Sequence, residues 1–131
     1  MKKFFKFIVL LFVSCLSACS ENILVVDKAN ERTFSIENQL DEIITISGIV
    51  NNNPFSLTLS SKDSYSYYHD TMSGHVEKGK TPVYLATSVK IVGKISGAVE
   101  YPTSLEFKEN WIEGSEHQLV FRITSSLFKN E

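Results

Sequence analysis

Alternation of apolar and polar residues is the dominant pattern in this chain. Residues 55–60 alternate strictly between an apolar and a hydroxyl side chain, and residues 43–50 before them are rich in β-branched residues. A period of two is typical of a β-strand with one buried face. The run Asn51-Asn52-Asn53-Pro54 joins the two segments with residues that favour a turn. The pattern therefore predicts a β-hairpin.

Further strands follow at regular intervals, separated by turn residues. We predict a long strand with Val83, Leu85, Thr87, Val89 and Ile91 on one face. A shorter strand has Leu105 and Phe107 on one face, and the last clear strand places Leu119, Phe121 and Ile123 inward. The run Tyr65-Ser66-Tyr67 alternates as well.

Seven or eight short strands predict an all-β fold, a small antiparallel β-sandwich of the immunoglobulin-like or transthyretin-like kind, with a small barrel as the alternative. No window predicts a useful amphipathic helix, and residues 21–32 contain four consecutive apolar residues that do not form a single face. Trp111 is expected to cover one end. The predicted core is Ile44, Ile46, Phe55, Leu57, Leu59, Val83, Leu85, Val89, Ile91, Leu105, Phe107, Leu119, Phe121 and Ile123.

The first eighteen residues have a different character. Lys2, Lys3 and Lys6 precede a largely apolar run at 7–16, which is followed by small residues. A helix that spans a bilayer needs about 20 apolar residues, so the run is too short to span and is typical of a secretory signal. An N-terminal anchor helix is the alternative.

The run Leu16-Ser17-Ala18-Cys19 resembles the lipobox of bacterial lipoproteins, which is an aliphatic residue, two small residues and a cysteine. The resemblance implies that Cys19 carries a diacylglycerol on its sulfur, that the signal is cut before it, and that the new amine is acylated. It divides the chain into a signal peptide (1–18), a lipidated N-terminus with a short tether and a first strand (19–33), and a β-sandwich domain (34–131).

Charge and cysteine content agree with an anchor made of lipid. Loss of the three signal lysines leaves ten basic and fifteen acidic side chains, a formal charge of −5. Such a domain is not expected to bind nucleic acid or an anionic lipid surface through charge. Two or three acyl chains give a firm membrane anchor. With Cys15 in the signal and Cys19 blocked, the mature chain would have no free thiol and no disulfide.

The residue after the cysteine bears on location. Ser20 stands where, in the lipoproteins that this segment resembles, an aspartate retains the protein at the inner membrane. In a Gram-negative cell the resemblance implies an outer-membrane protein that faces the periplasm. The inner membrane and the cell surface are the alternatives. Residues 20–22 would be a short tether, and 23–26 a first strand or a segment that contacts the bilayer.

Few residues suggest catalysis or metal binding. His69, Asp70 and His75 would bind a metal only if the turn between them folded back, and we expect instead a polar turn at the end of a strand. The segment Lys78-Gly79-Lys80 lacks the second glycine of a phosphate loop. No nucleophile-elbow pattern is present, and Glu106, Glu109 and Glu113 suit a solvated face. We therefore expect no enzymatic activity, no metal and no cofactor.

Tyrosines form the most plausible binding surface. Tyrosine is enriched at protein interfaces, although it is also a good strand former. The candidates are Tyr65, Tyr67, Tyr68, Tyr84 and Tyr101.

These observations predict a lipid-anchored binding or accessory module with a protein partner in the envelope. The fold is loosely similar to the small sandwich lipoproteins of type VI secretion and to β-rich pilotins. A periplasmic immunity protein or lysozyme inhibitor is one alternative, although lysozyme-inhibitor lipoproteins usually carry a disulfide. A pilotin-like or secretion-system assembly lipoprotein is the second alternative.

Overall fold

A computed structural model describes residues 30–129 of the chain. Eight strands account for about half of this region, together with one short α-helix and two 3₁₀ turns at Val83–Leu85 and Ser125–Phe128. The strands are β1 (Glu31–Asn38), β2 (Ile44–Val50), β3 (Asn53–Leu59), β4 (Ser64–Asp70), β5 (Thr87–Gly93), β6 (Gly97–Tyr101), β7 (Ile112–Glu113) and β8 (Gln118–Ile123), and the helix is α1 (Ser104–Lys108).

The strands form two four-stranded sheets. The first sheet has the order β4-β1-β8-β7 and the second has the order β3-β2-β5-β6. Apolar side chains of both sheets meet in one core. This confirms the predicted all-β sandwich of seven or eight strands.

The two ends of the sandwich can be told apart by their loops. The upper end is where β1 begins, and there the amide of Thr71 donates to the carbonyl of Asn30. The lower end holds the 39–43 loop and the turns 60–63 and 94–96. The amide of Lys62 donates to the carbonyl of Leu40 at this end.

Strand β1 lies in the middle of the first sheet, and no strand was predicted there. Its side chains alternate, with Phe34 and Ile36 fully buried. It pairs antiparallel with β4 and parallel with β8. The parallel pair departs from a wholly antiparallel sandwich because β1 and β8 both run from the upper end to the lower end. The strand begins at Glu31, three residues before the boundary at 34 that was drawn from the sequence.

The predicted hairpin is confirmed as β2 and β3. Their register pairs Val50 with Asn53, so Asn51 and Asn52 alone form the turn. Both asparagines have positive φ, 50° and 64°. A two-residue turn with two left-handed positions is type I′, which matches the twist of paired strands and which asparagine tolerates.

The predicted strand around Leu105 and Phe107 is wrong, because this segment forms helix α1. Thr103 begins the helix: its side chain accepts a hydrogen bond from the amide of Glu106, and the Glu106 carboxylate accepts one from the amide of Thr103. This capping box satisfies two amides at the helix start. Phe107 is fully buried, whereas Leu105 is 66% exposed and lies outside the core.

The predicted long strand over 83–91 is also shorter than expected. Residues Val83–Leu85 form a 3₁₀ turn, and β5 begins only at Thr87. Ser88 has a φ of 53°, which interrupts the alternation near the strand start. As a result Ala86 is buried, whereas Leu85 is only partly buried and Thr87 is exposed.

Most of the predicted core is confirmed. Phe55, Leu57 and Leu119 are partly buried and pack against it. Trp111 is 7% exposed and contacts four other aromatic rings, so it is part of the core and does more than cover one end. The buried members that the sequence predicted are Ile44, Ile46, Leu59, Val83, Val89, Ile91, Phe107, Phe121 and Ile123.

Glu42 fixes the turn between β5 and β6 at the lower end. Its carboxylate accepts hydrogen bonds from the amides of Ile95 (2.6 Å) and Ser96 (2.9 Å) and from the Ser96 hydroxyl. The Ser96 hydroxyl and these amides lower the pKa of Glu42. Gly93 leaves room for the carboxylate, because a Cβ there would lie 2.8 Å from Glu42 Oε1.

Several predictions concern residues outside the described region. These are the signal peptide at 1–18, the lipidation of Cys19, the tether at 20–22 and the strand at 23–26. Among residues 30–129, no helix has the length and apolar character needed to cross a membrane.

Candidate binding surface

The five candidate tyrosines do not form one surface. Tyr67 and Tyr101 are only 1% and 8% exposed, so the prediction is wrong for these two. Tyr67 lies opposite the inward-facing Phe34 in the β1–β4 register. Tyr101 lies opposite the inward-facing Val89 in the β5–β6 register. Both side chains pack in the core because they fall on the buried face of their strand.

The buried hydroxyl of Tyr67 has a structural role. It accepts a hydrogen bond of 2.8 Å from the amide of Tyr84. Burial raises the pKa of Tyr67 far above its ordinary value, so the phenol stays neutral. A buried backbone amide needs such a partner. The hydroxyl therefore holds the 3₁₀ turn against β4.

Tyr65 and Tyr84 are half-buried, and both residues contact Tyr67: the Tyr65 ring centre lies 5.9 Å from that of Tyr67, and the Tyr84 amide donates to the Tyr67 hydroxyl. The Tyr65 hydroxyl accepts a hydrogen bond of 2.7 Å from the amide of Thr81. The ammonium of Lys80 lies 5.0 Å from the centre of the Tyr65 ring, and that of Lys108 lies 5.1 Å from the Tyr84 ring. These distances are typical of cation–π contacts. We call Tyr65, Lys80, Tyr84 and Lys108 the tyrosine–lysine rim.

Tyr68 faces the other way, on the outer side of the first sheet. It lies in a shallow groove of about 170 Å³ at the upper end. Desolvation and the neighbouring Glu31 raise the pKa of its phenol. The remaining lining residues are Arg32, Thr33, Glu116 and His117. Tyr68 is therefore separate from the tyrosine–lysine rim.

His69, Asp70 and His75 are not brought together as metal ligands. The Asp70 carboxylate accepts hydrogen bonds from the amides of Met72 (2.9 Å) and Ser73 (3.2 Å) and from the Ser73 hydroxyl (2.7 Å). It therefore closes its own turn, which is the polar turn that the sequence also allowed. Over residues 30–129, no three His, Cys, Asp or Glu side chains are grouped as metal ligands.

His69 packs inward on β4 and is 6% exposed. Its ring centre lies 5.7 Å from that of Phe34. Its Nδ1 atom and the Nε1 atom of Trp111 are buried without a hydrogen-bond partner among the described residues. Desolvation lowers the pKa of His69, and the neighbouring Asp70 only partly opposes this effect.

Protonation of His69 should destabilise the fold in mild acid. Its pKa is below the ordinary 6.5 in the folded state, so the unfolded chain binds the proton more tightly. The stability that depends on neutral His69 is fully present above pH 6.5. It decreases as the pH falls through that value, and the decrease levels off below the folded-state pKa. Each unit of pKa difference corresponds to about 1.4 kcal/mol.

Urea unfolding between pH 7.5 and 5.5 measures this loss. We expect His69→Gln to show a smaller decline over this range than the native chain. The matched variant His75→Gln, in an exposed turn, should retain the native decline because His69 is intact. An unchanged pH dependence in His69→Gln would show that another group is responsible.

A chain of polar side chains crosses the outer face of the first sheet, and sequence reasoning missed it. The hydroxyls of Ser35 and Ser66 are 2.9 Å apart, and Gln118 Nε2 donates to Ser35 Oγ at 3.1 Å. Ser115 Oγ donates to Gln118 Oε1 at 2.9 Å. The serines at alternate strand positions were the available signal. This face is polar and already hydrogen-bonded.

A groove of about 500 Å³ lies at the lower end. Lys62 lies in this groove and donates to the carbonyl of Gln39 at 2.6 Å. It also forms an exposed ion pair of 3.2 Å with Asp41. The other lining residues are Glu37, Asn38, Asp63 and Ser64. The groove has mixed charge and open walls.

Comparison with known proteins adds little to this geometry. No protein-family model matches the chain, and no curated protein matches it. A solved structure described as the NMR structure of the protein from Eubacterium rectale is similar over 79% of this chain and 88% of that chain, at 13% identity and a TM-score of 0.29.

Proposed function

We propose that the chain is a lipid-anchored protein of the bacterial envelope that acts by binding a protein partner, at the periplasmic face of the outer membrane. The observation that carries the proposal is the run Leu16-Ser17-Ala18-Cys19, which follows a cationic start and an apolar segment in the order of a lipoprotein signal. Acyl chains at Cys19 would set the location of the domain.

The start of β1 indicates to which end of the sandwich the proposed anchor would be joined. The strand begins at Glu31, so residues 20–30 connect it to Cys19. At about 3.4 Å per residue, this segment spans at most about 37 Å. The upper end is therefore the end to which the anchor would be joined.

The tyrosine–lysine rim supports a binding role. Tyrosine gives a large and stiff contact area with one polar end, which suits a protein interface. Tyr65 and Tyr84 are half-buried, so each is held in place by the fold while part of the ring is accessible. Lys80 and Lys108 add positive charge to a domain that is otherwise acidic, which favours a partner with an acidic surface.

A photo-reactive residue at position 80 tests the binding role in living cells. We expect one discrete cross-linked product that sediments with the outer membrane. The matched control is the same residue at position 94, which lies in the turn at the lower end and should give no such product. Equal products at both positions, or none at position 80, would contradict a partner at the rim.

A further inference from the structure

Strand β3 is an edge strand that no other part of the described chain covers. It ends the second sheet, beside β2. The other edges are protected. Residues beyond β4 fold back along it, with a bridge between His69 and Val76. Strand β7 has only two residues, and β6 carries Glu100 and contacts the 3₁₀ turn Ser125–Phe128.

The hairpin that contains β3 is free of charge. Residues 43–61 include no Asp, Glu, Lys or Arg, although these make up 21% of the chain. Natural edge strands are usually protected from pairing by charged side chains, proline or a bulge. In β3 the only residue of this protective kind is Pro54, which lies near the beginning of the strand.

The type I′ turn determines which backbone groups of β3 point outward. The pair that closes a two-residue hairpin, here Val50 and Asn53, is hydrogen-bonded, and bonded pairs then alternate along the strands. The amides and carbonyls of Ser56 and Thr58 therefore point away from β2. Pro54 contributes only a carbonyl to this outer edge.

We propose that β3 pairs with β3 of a second copy of this chain, antiparallel about a two-fold axis at Leu57. In this register Ser56 lies opposite Thr58 of the second copy, and Thr58 lies opposite Ser56 of the second copy. Each of these two pairs can form two backbone hydrogen bonds, so the sheets of both copies join into one of eight strands. Pro54 lies towards the end of the paired segment.

The side chains of β3 suit this self-pairing. The two Leu57 residues meet at the axis in a non-hydrogen-bonded pair, where side chains are closest. Phe55 and Leu57 face the core side and are only half-buried, so the second copy would cover them further. The side chains of Ser56 and Thr58 are exposed and hydroxyl-bearing. Because β3 is neutral, two copies meet without the repulsion expected elsewhere on an acidic domain.

The pairing is expected to be weak in solution. A single edge strand buries less surface than a stable interface, which takes about 1,200–2,000 Å². Confinement of both copies to one membrane would raise their effective concentration. The pairing itself does not depend on the anchor, and it can be measured on purified protein.

Two matched double variants of the full-length protein test the register. Ser56→Lys with Thr58→Lys places lysine opposite lysine twice. Ser56→Lys with Thr58→Glu places lysine opposite glutamate twice. Ser56 and Thr58 are exposed and lie beside the uncharged Ser47 and Thr45 of β2, so both variants should fold. Sedimentation equilibrium in mild detergent gives the dimer dissociation constant.

We expect the native chain to dimerise. The lysine–lysine variant should bind itself more weakly, by a factor of about ten or more, and the lysine–glutamate variant should recover most of the affinity. In native membranes, Leu57→Cys should also form a disulfide-linked dimer. Ser56→Cys should form little of it, because position 56 of one copy lies diagonally across from position 56 of the other and not directly opposite. A native chain that stays monomeric, or a dimer that both double variants keep equally, overturns the proposal. A β3 edge that pairs only with a different protein overturns it as well.

Discussion

Replacing Phe107 with alanine is expected to lower the free energy of unfolding by about 3–5 kcal/mol. Phe107 is fully buried, and its ring centre lies 5.0 Å from that of Phe121, 5.7 Å from Tyr101 and 5.8 Å from Trp111. Loss of the ring would leave a cavity between the helix and both sheets. A small domain has only about 5–15 kcal/mol of stability in total, so the variant should be close to unfolding.

Leu105→Ala is the matched control for Phe107→Ala. Leu105 is 66% exposed on α1, and alanine is a good helix former, so we expect a change within about 0.5 kcal/mol. Urea unfolding followed by the fluorescence of Trp111, the only tryptophan in the sequence, measures both variants. If this segment were a strand, both residues would face inward and both substitutions would be costly. Equal costs would therefore contradict the helix.

Replacing Cys19 with alanine is expected to abolish incorporation of radioactive palmitate. Only the Cys19 thiolate can attack the lipid donor in the proposed modification, so no partial labelling should remain. Without the lipid the signal should stay uncleaved, and the variant should be held at the inner membrane by its signal. Fractionation of the envelope and the size of the protein on a gel measure both effects.

Cys15→Ala provides the control in the same segment. Cys15 lies in the apolar run of the proposed signal, so this variant should be labelled, cleaved and sorted like the native chain. Palmitate that remains on Cys19→Ala, or that disappears from Cys15→Ala, would contradict lipidation at Cys19.

The hairpin of β2 and β3 could be predicted from the sequence because its signals are local. Alternation over residues 55–60 and the asparagine turn both act within a few residues, and the structure confirms them. Strand β1 had a similar but shorter signal in Phe34-Ser35-Ile36. Its central place depends on pairing with β4 and β8, which are distant in sequence.

Helix α1 was missed because Leu105 and Phe107 have the spacing of a strand, and a five-residue helix is too short to show a period of its own. The signal that could have found it is Thr103 followed three residues later by Glu106, the sequence pattern of a capping box. Two apolar residues at the spacing of a strand are weaker evidence for a strand than a capping box, which satisfies backbone amides, is for a helix.

The tyrosines show what a sequence cannot reveal about a surface. Tyrosine suits both a buried strand face and an interface, so the burial of Tyr67 depends on its register with Phe34. The position of Tyr84 depends on the 3₁₀ turn, which replaced a predicted strand. Only the tertiary arrangement separates Tyr65 and Tyr84, with their lysines, from the two tyrosines of the core.

The most direct test of the proposed anchor is the intact mass of the protein extracted from its native membrane, with fragmentation of its N-terminal peptide. We expect a chain that begins at Cys19 and carries a diacylglycerol on sulfur, with a further acyl group on the amine. An unmodified polypeptide, or a chain that begins at any other residue, would contradict it.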